Sequence, residues 1–311
     1  MRTILGLEAL SAPEQGAAVA IGTFDGVHVG HRALLDAARR HARRTGCAAA
    51  AVTWDRHPNT VLRPDRVPPL LCTPERKLEL LGAAGLELVA MLAFDADLSR
   101  WPPERFVSEV LVAGLGARTV CVGAGWRFGH RAAGTVALLA RLGATHGFGV
   151  DEVALVDLDG AAVSSSRVRD AVADGDVRLA RRLLGRSFDL DGVVVTGHHR
   201  GRALGYPTAN LDVDPALCVP ALGVYAGRTN VAGRDFAAAI SVGVNPTFGG
   251  DATARAPRVE VHVLDFSGDL YGRTLRVSFD ERLRDEHRFD SVEALVAQMA
   301  RDVEETRALS C

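Results

Sequence analysis

The chain has 311 residues and is 48% hydrophobic, which is enough to form two domains of ordinary size. Its formal net charge of -2 gives no electrostatic reason to expect a nucleic-acid partner or an acidic membrane surface, since an excess of Lys and Arg usually meets such partners. No apolar stretch suits a signal peptide or reaches the roughly 20 residues of a membrane helix, so we expect a cytoplasmic protein with no membrane partner.

In the first half of the chain, short strand-like runs alternate with helical segments. An apolar run over 17–22 precedes an amphipathic stretch over 30–45, whose apolar residues share one face with the helical period. Further strand-like runs cover 48–54, 86–93, 119–123 and 148–156. This alternation predicts an α/β domain, with a mostly parallel, Rossmann-like sheet covered by helices on both faces.

The second half changes character near Gly185. Its strand-like runs have no helices between them and cover 192–196, 224–230, 237–242, 259–264 and 275–280. A final helix begins behind Ser291 as N-cap, with Val292 on its apolar face. We therefore predict a parallel-sheet domain over 1–185 and an antiparallel β-barrel with a C-terminal helix over 186–311, the boundary depending on the change of period alone.

The cysteines are scattered and form no CxxC pair. This spacing favours reduced structural thiols over a zinc site or a redox pair. The five residues are Cys47, Cys72, Cys121, Cys218 and Cys311.

The run GTFDGVHVGH, from Gly22 to His31, lies where the first strand ends and the first helix begins. Backbone N–H groups and the helix dipole favour an anionic phosphate at such a position. His28 and His31 could converge on its oxygens, with Gly30 letting the backbone pass close to the ligand. The alternative is structural, with one histidine capping the helix and the other on the surface.

A second run, SSSRVR over 164–169, opens another helix later in the same half. It combines hydroxyls, helix N–H groups and guanidinium groups, which suit triphosphate or pyrophosphate. Taken alone, such a run is more often ordinary capping followed by solvated arginines.

Two polar patterns stand out in the second half. The loop over 197–210 carries glycines and basic residues and ends in Thr208 and Asn210, whose hydroxyl and amide could hold a metal-bound nucleotide. Strand alternation over 259–265 places Glu260 and His262 opposite three valines. The alternatives are an irregular surface turn for the loop and a solvated strand face for the second pattern.

GTFDGVHVGH, the GWRFGHRAAG run over 125–134 and SSSRVR together resemble the N-terminal module of bacterial bifunctional riboflavin kinase/FAD synthetases, and the HxGH and SSSRxR pieces resemble nucleotidylyltransferases more widely. The resemblance implies that ATP binds with Mg²⁺, that the FMN phosphate attacks the α-phosphorus, and that pyrophosphate leaves. It implies catalytic roles for His28 and His31. The implied phosphate-binding residues are Gly22, Phe24, Asp25, Gly30, Ser165, Ser166 and Arg167.

One element departs from that family. Its usual G-x-[DN]-F-x-F-G pattern carries a polar side chain that frames the nucleotide, whereas this chain has Gly125 at that position, then Trp126 in place of Phe, then Arg127. A hydrogen-bonding side chain is missing, so adenylyl transfer could be slow, absent or directed to another nucleotide.

The C-terminal motifs GRALGYPTAN, GVNPTFGG, VEVHVLDF, DLYG and LRDEHRFDS resemble the riboflavin kinase module in the same order. The resemblance implies that Gly201, Thr208 and Asn210 bind ATP, with Mg²⁺ held by the latter two. It implies that Glu260 is the general base for the riboflavin 5'-hydroxyl. Arg284 and Phe289 are then expected to close over the flavin.

Three functional hypotheses follow. The main one is a bifunctional enzyme acting on riboflavin, FMN and ATP. The second is a riboflavin kinase whose N-terminal module is weak, inactive or specific for another nucleotide because of Gly125 and Trp126. The third is a flavin- or nucleotide-binding regulatory protein without turnover, against which the intact Thr208, Asn210 and Glu260 argue. Oligomeric state, flavin redox state and any modified flavin substrate are left open by the sequence.

Overall fold

A computed structural model describes residues 1–197, 204–244 and 257–310 of the chain. Two compact units are present, Met1–Ser165 and Ser166–Cys311. A division of function near Gly185 stays a prediction.

The first unit contains a six-stranded sheet in which every neighbouring pair is parallel, in the order β1-β4-β3-β2-β5-β8. Its strands are β1 (Arg2–Leu5), β2 (Ala17–Ile21), β3 (Ala48–Trp54), β4 (Leu88–Leu92), β5 (Ala117–Gly123) and β8 (Gly149–Val153). Two small hairpins join β6 (Arg127–Phe128) to β7 (Gly134–Thr135) and β9 (Asp157–Leu158) to β10 (Ala161–Ala162). The predicted parallel sheet is confirmed, although β1 was not foreseen.

Helices cover both faces of this sheet. Val19 of β2 belongs to one buried apolar cluster with Phe106 and Leu139, whereas its neighbour Ala20 belongs to another with Leu35. Alternate residues of one strand thus enter two separate cores. The helices are α1 (Val29–Thr45), α2 (Asn59–Leu62), α3 (Pro74–Ala83), α4 (Pro103–Arg105), a π-helix (Phe106–Ala113) and α5 (Val136–His146), with short 3₁₀ turns at Pro64–Arg66, Leu98–Arg100 and His130–Ala132.

The direction of the strand order reverses at β2, because β3 lies on one side of it and β5 on the other. Ligands of open parallel sheets bind at the carboxyl ends of the strands at such a reversal. The loop after β2 contains GTFDGVHVGH, and the loop after β5 contains Gly125. The topology therefore brings two of the sequence motifs to one edge of the sheet.

The second unit contains a closed antiparallel barrel in the order β11-β12-β15-β14-β13-β16. Its strands are β11 (Phe188–Val195), β12 (Ala209–Asp212), β13 (Gly223–Val231), β14 (Arg234–Gly243), β15 (Arg258–Val263) and β16 (Thr274–Arg284). Helix α6 (Ser165–Ala173) spans the division between the units, while α7 (Val177–Leu184) and α8 (Val292–Ser310) belong to the second. The predicted barrel and C-terminal helix are confirmed.

Ser291 caps α8 as expected, since its Oγ accepts a hydrogen bond from the Ala294 N–H at 3.1 Å. The predicted apolar face is wrong at its start, because Val292 is 58% exposed. The most buried positions of α8 are instead Asp302 and Thr306, further along the helix.

The four cysteines within the described residues are buried and form no disulfide there, as the sequence predicts for structural thiols: Cys47, Cys72, Cys121 and Cys218. Cys311 lies outside the described residues. Burial, and secondarily Asp151, raises the pKa of Cys121 to about 12, so this thiol stays protonated.

Candidate active sites

The loop after β2 has an unusual backbone. Phe24 and Val27 have φ of 49° and 41°, a left-handed conformation that side chains with a Cβ rarely adopt. Asp25 secures the loop, since its Oδ1 accepts from the Leu71 N–H at 2.9 Å and its carbonyl accepts from the Ser165 hydroxyl at 3.0 Å. Strain of this kind persists where the surroundings impose it, and it concentrates at ligand sites.

His28 and His31 come together at the start of α1. Their rings stack with centroids 3.6 Å apart, and His28 Nδ1 accepts from the His31 backbone N–H at 3.2 Å. His28 therefore caps the helix, which is half of the structural alternative. A Cβ on Gly30 would lie 3.1 Å from the His28 ring, so this glycine makes room for the imidazole.

His31 is half-buried. Its Nδ1 is buried and has no hydrogen-bond partner among the described residues. Burial, the neighbouring His28 and the charge of Lys77 hold the pKa of His31 well below its ordinary value. At neutral pH His31 is therefore an uncharged imidazole, and its Nδ1 is a polar atom of the kind that a ligand group could satisfy.

Lys77 is a residue that the sequence reasoning missed. It lies in α3, is only 4% exposed, and its Nζ donates to the Trp54 carbonyl at 2.9 Å. The signal that could have found it is composition, because Lys77 is the only lysine among the 36 Lys and Arg residues of the chain.

The SSSRVR run opens α6 as predicted. The Ser165 hydroxyl donates a hydrogen bond to the Asp25 carbonyl and thereby helps to fix the loop after β2. Ser166 is exposed and Arg167 half-buried in the first turn of the helix. Neither position contradicts the phosphate-binding roles expected of them.

The departure at Gly125 has a conformational explanation. Its φ is +71°, a left-handed position that favours glycine and tolerates Asn, and its N–H donates to Glu152 Oε1 at 2.9 Å. A Cβ here would meet nothing within 4 Å. Trp126 stacks on Phe128 with centroids 4.7 Å apart, and Arg127 is exposed. Glycine thus preserves the turn even though it lacks the side chain expected from the resemblance.

In the second unit, Thr208 and Glu260 are brought together. The Thr208 hydroxyl donates to Glu260 Oε2 at 3.3 Å, and Arg258 donates to Glu260 Oε1 at 3.2 Å. Val259 and Val261 point into the barrel, so the half-buried Glu260 lies on its outer face, as the alternation predicted. A carboxylate, a hydroxyl and a guanidinium therefore converge at one point.

Asn210 completes this group. It is 9% exposed and lies opposite Glu260 in the β12–β15 ladder. Its side-chain Oδ1 is buried with no hydrogen-bond partner among the described residues. Gly197 packs against it so closely that a Cβ would stand 2.1 Å from Asn210 Nδ2.

A cleft of about 580 Å³ opens beside Thr208. Its walls include the strand residues Val194 and Val261 and the loop residues Phe266 and Tyr271. The DLYG motif therefore lies at the same cleft as Thr208. Gly201 and most of GVNPTFGG fall outside the described residues.

Arg284 has a structural partner. Its Nε and Nη2 donate to the carboxylate of Asp302 at 3.0 and 2.8 Å, which fastens α8 to the end of β16. Phe289 lies 5.6 Å from the guanidinium. Flavin binding by Arg284 and Phe289 stays a prediction.

A family model described as FAD synthetase matches residues 10–167, and one described as riboflavin kinase matches residues 184–310. Relatives called bifunctional riboflavin kinase/FMN adenylyltransferase include one from Pseudomonas fluorescens, 39% identical over 100% of this chain and 98% of that protein. Another, from Escherichia coli K12, is 35% identical over 97% of this chain and 96% of its own.

A crystal structure named as a macrolide-efflux protein from Streptococcus pneumoniae has a TM-score of 0.87 and 32% identity, covering 99% of both chains. The word efflux is part of the name of that structure and is not a finding about this chain. In the part of this chain that the structure describes, no helix is sufficiently long and apolar to span a membrane. The two family models together match most of the chain, in the order that the motifs predict. The chain therefore belongs to the bifunctional riboflavin kinase/FMN adenylyltransferase family.

Proposed function

We propose that the barrel unit phosphorylates riboflavin to FMN and that the parallel-sheet unit adenylylates FMN to FAD. The observation that carries the proposal is the presence of two separate polar centres, each in its own unit. One is built from Thr208, Asn210 and Glu260, the other around His28 and His31. Full-length relatives with both activities in their name support it.

In the kinase step, Glu260 accepts the proton of the riboflavin 5'-hydroxyl as that oxygen attacks the γ-phosphorus of ATP. The bond from the γ-phosphorus to its bridging oxygen breaks, and ADP leaves. Arg258 orients the Glu260 carboxylate by donating a hydrogen bond to its other oxygen. The hydroxyl needs to lose its proton only as it attacks, which a carboxylate can support.

Mg²⁺ fits the donors present at this centre. The buried Oδ1 of Asn210, which has no partner within the part of the chain that the structure describes, and the hydroxyl of Thr208 are hard oxygen ligands of the kind that Mg²⁺ prefers. These two residues would hold the ion. When bound, it would neutralise the phosphate charge that develops during transfer.

In the adenylyl transfer step, a phosphate oxygen of FMN attacks the α-phosphorus of ATP, and the bond to the departing pyrophosphate breaks. Stabilisation of charge on the phosphoryl oxygens is the main requirement. His28 and His31 supply hydrogen bonds there, at the start of α1 and beside Gly22 and Gly30. Ser166 and Arg167 would bind the pyrophosphate portion.

The kinase-only alternative depends on Gly125. The left-handed turn accommodates a glycine at that position, and full-length relatives with both activities in their name favour the two-activity proposal. The regulatory alternative has no observation in its favour. We propose riboflavin, FMN and ATP as the small-molecule partners and the cytoplasm as the location.

The test incubates the full chain with riboflavin, ATP and Mg²⁺ and separates the flavins by chromatography. Wild type should yield FMN and then FAD. Glu260→Gln should stop FMN formation and still convert supplied FMN to FAD, whereas His28→Ala with His31→Ala should do the reverse. His146→Ala, at an exposed site in α5, should alter neither step.

Each variant serves as the folding control for the other. Normal FMN production by Glu260→Gln would remove Glu260 from the mechanism. Unchanged FAD synthesis by the double histidine variant would assign both histidines a structural role.

A further inference from the structure

We propose that Lys77 is a phosphate-binding residue of the N-terminal site, its ammonium holding an oxyanion of a phosphate substrate beside His31. This inference rests on the proposed adenylyl transfer and deepens it. The ligand class is a phosphate oxyanion, either the monoester of the flavin acceptor or the phosphates of the nucleotide.

Lys77 is the one lysine of the chain. Arginine is used for every other side-chain cation of this kind in the chain, so a lysine at position 77 is an exception. A guanidinium is a broad planar fork, whereas an ammonium is a compact point charge with several N–H donors. An enclosed position next to a ligand oxygen favours the compact group.

The Lys77 side chain extends from helix α3 to the end of strand β3. The side chain of Thr73 caps α3, and Pro74 begins it, which fixes the first turn that carries Lys77. Nζ reaches the carbonyl of Trp54, the last residue of β3. This places the ammonium at the carboxyl edge of the sheet, one strand from the end of β2.

The Lys77 ammonium is buried close to acidic groups. A buried cation is costly unless compensated, and burial lowers the pKa of Lys77 while Cys72, Asp25 and Asp55 oppose the change. Both carboxylates already accept other hydrogen bonds, Asp25 from the Leu71 N–H and Asp55 from the Phe94 N–H. The negative charges of Asp25 and Asp55 therefore stabilise the Lys77 ammonium, while both carboxylates also accept backbone hydrogen bonds.

Lys77 and His31 belong to the same edge of the sheet. Lys77 Nζ is held at the end of β3, and His31 lies in the first turn of α1, which follows the neighbouring parallel strand β2. The Lys77 charge also lowers the pKa of that imidazole, and His31 Nδ1 is buried without a partner among the described residues. An ammonium beside a neutral imidazole repels cations and attracts anions. A phosphate group, with several oxygens, can satisfy both side chains at once.

The first experiment uses the unmodified full chain labelled with ¹⁵N- and ¹³C-lysine. Because the chain has one lysine, its side chain gives one resonance. Inorganic pyrophosphate, FMN and riboflavin are added in turn, and riboflavin is the control without phosphate. A shift with FMN alone assigns Lys77 to the acceptor phosphate, and a shift with pyrophosphate assigns it to the nucleotide. No shift with either would overturn the proposal.

The second experiment compares Lys77→Met with Arg66→Met, a highly exposed cation of the same unit. In FAD formation, Lys77→Met should raise KM for FMN or ATP about tenfold or more, and riboflavin phosphorylation should be unchanged. Arg66→Met should change neither. Wild-type KM values in a folded Lys77→Met protein would also overturn the proposal. If Lys77→Met fails to fold, the labelled wild type decides.

The two proposals fail separately. A lysine resonance that shifts with pyrophosphate in a protein that makes no FAD would retain the binding role of Lys77 and reject adenylyl transfer. Normal FAD synthesis without any shift would do the opposite.

Discussion

Gly197→Ala tests whether a close backbone contact positions Asn210. A Cβ at residue 197 would stand 2.1 Å from Asn210 Nδ2 and 2.5 Å from its Cγ, well inside any van der Waals contact. The Asn210 backbone is held in the β12–β15 ladder opposite Glu260. The amide must therefore rotate away, or the segment at residue 197 must move.

The expected cost has two parts. Overpacking of this kind destabilises by about 1–3 kcal/mol. Displacing the amide also removes a contact to the metal-bound nucleotide, worth about 0.5–1.5 kcal/mol, or up to about 3 if a buried group is stranded. By rate arithmetic, the second part alone slows FMN formation by roughly 2- to 150-fold.

The assay measures FMN formation from riboflavin and the melting temperature for Gly197→Ala, and conversion of supplied FMN to FAD serves as an internal reference. Gly149→Ala is the matched control, since the nearest atom to its added Cβ is 3.9 Å away. The same substitution is repeated in an Asn210→Ala background, where the clashing amide is absent.

Most of the stability cost of Gly197→Ala should disappear in the Asn210→Ala background. An equal cost with and without the Asn210 side chain would show that the clash is with something else. Wild-type FMN formation by a folded Gly197→Ala protein would show that Asn210 does not need this glycine.

Two further predictions concern the domain boundary and the turn at Gly125. A fragment over 166–311 should melt at a higher temperature than one over 186–311, because α7 buries Val177, Leu183 and Leu184. Burial of each such side chain contributes about 1.5–3 kcal/mol to the free energy of unfolding. Equal melting temperatures and equal kinase activity of the two fragments would support a boundary near Gly185. Gly125→Asn with Trp126→Phe should raise FAD output several-fold. The double substitution should cost no more than about 1 kcal/mol of stability, since Asn tolerates the left-handed turn. Unchanged FAD output would mean that no nucleotide contact is missing.

Much of the fold could be predicted from hydrophobic periodicity, because most strands of the six-stranded sheet and of the barrel are rich in apolar residues and have five residues or more. β1 and β12 were missed for a common reason. Each has only four residues, and β12 follows the Pro and Gly residues of its loop, so local pattern predicts irregular structure. Pairing with β4 and β15 makes them strands, and pairing is not a local property.

The candidate sites were predicted unevenly. Motif residues such as His28 and Glu260 could be found because their chemistry is tied to a spacing. Lys77 could not be found that way, since its burial and its contact with Trp54 depend on how α3 meets β3. The left-handed φ of Gly125 could not be predicted, because a sequence does not state φ, and a missing nucleotide contact at this residue stays a prediction.

The two sheets differ in where another chain could add a strand. Closure of the barrel pairs each of its strands on both sides, which leaves no row of unpaired backbone groups among its described residues. The parallel sheet ends at β1 and β8, which have four and five residues. Asp151 and Glu152 place two carboxylates on β8, and both edges are short, features that discourage edge-to-edge aggregation. Of these two sheets, the parallel one is therefore where association by strand addition would begin.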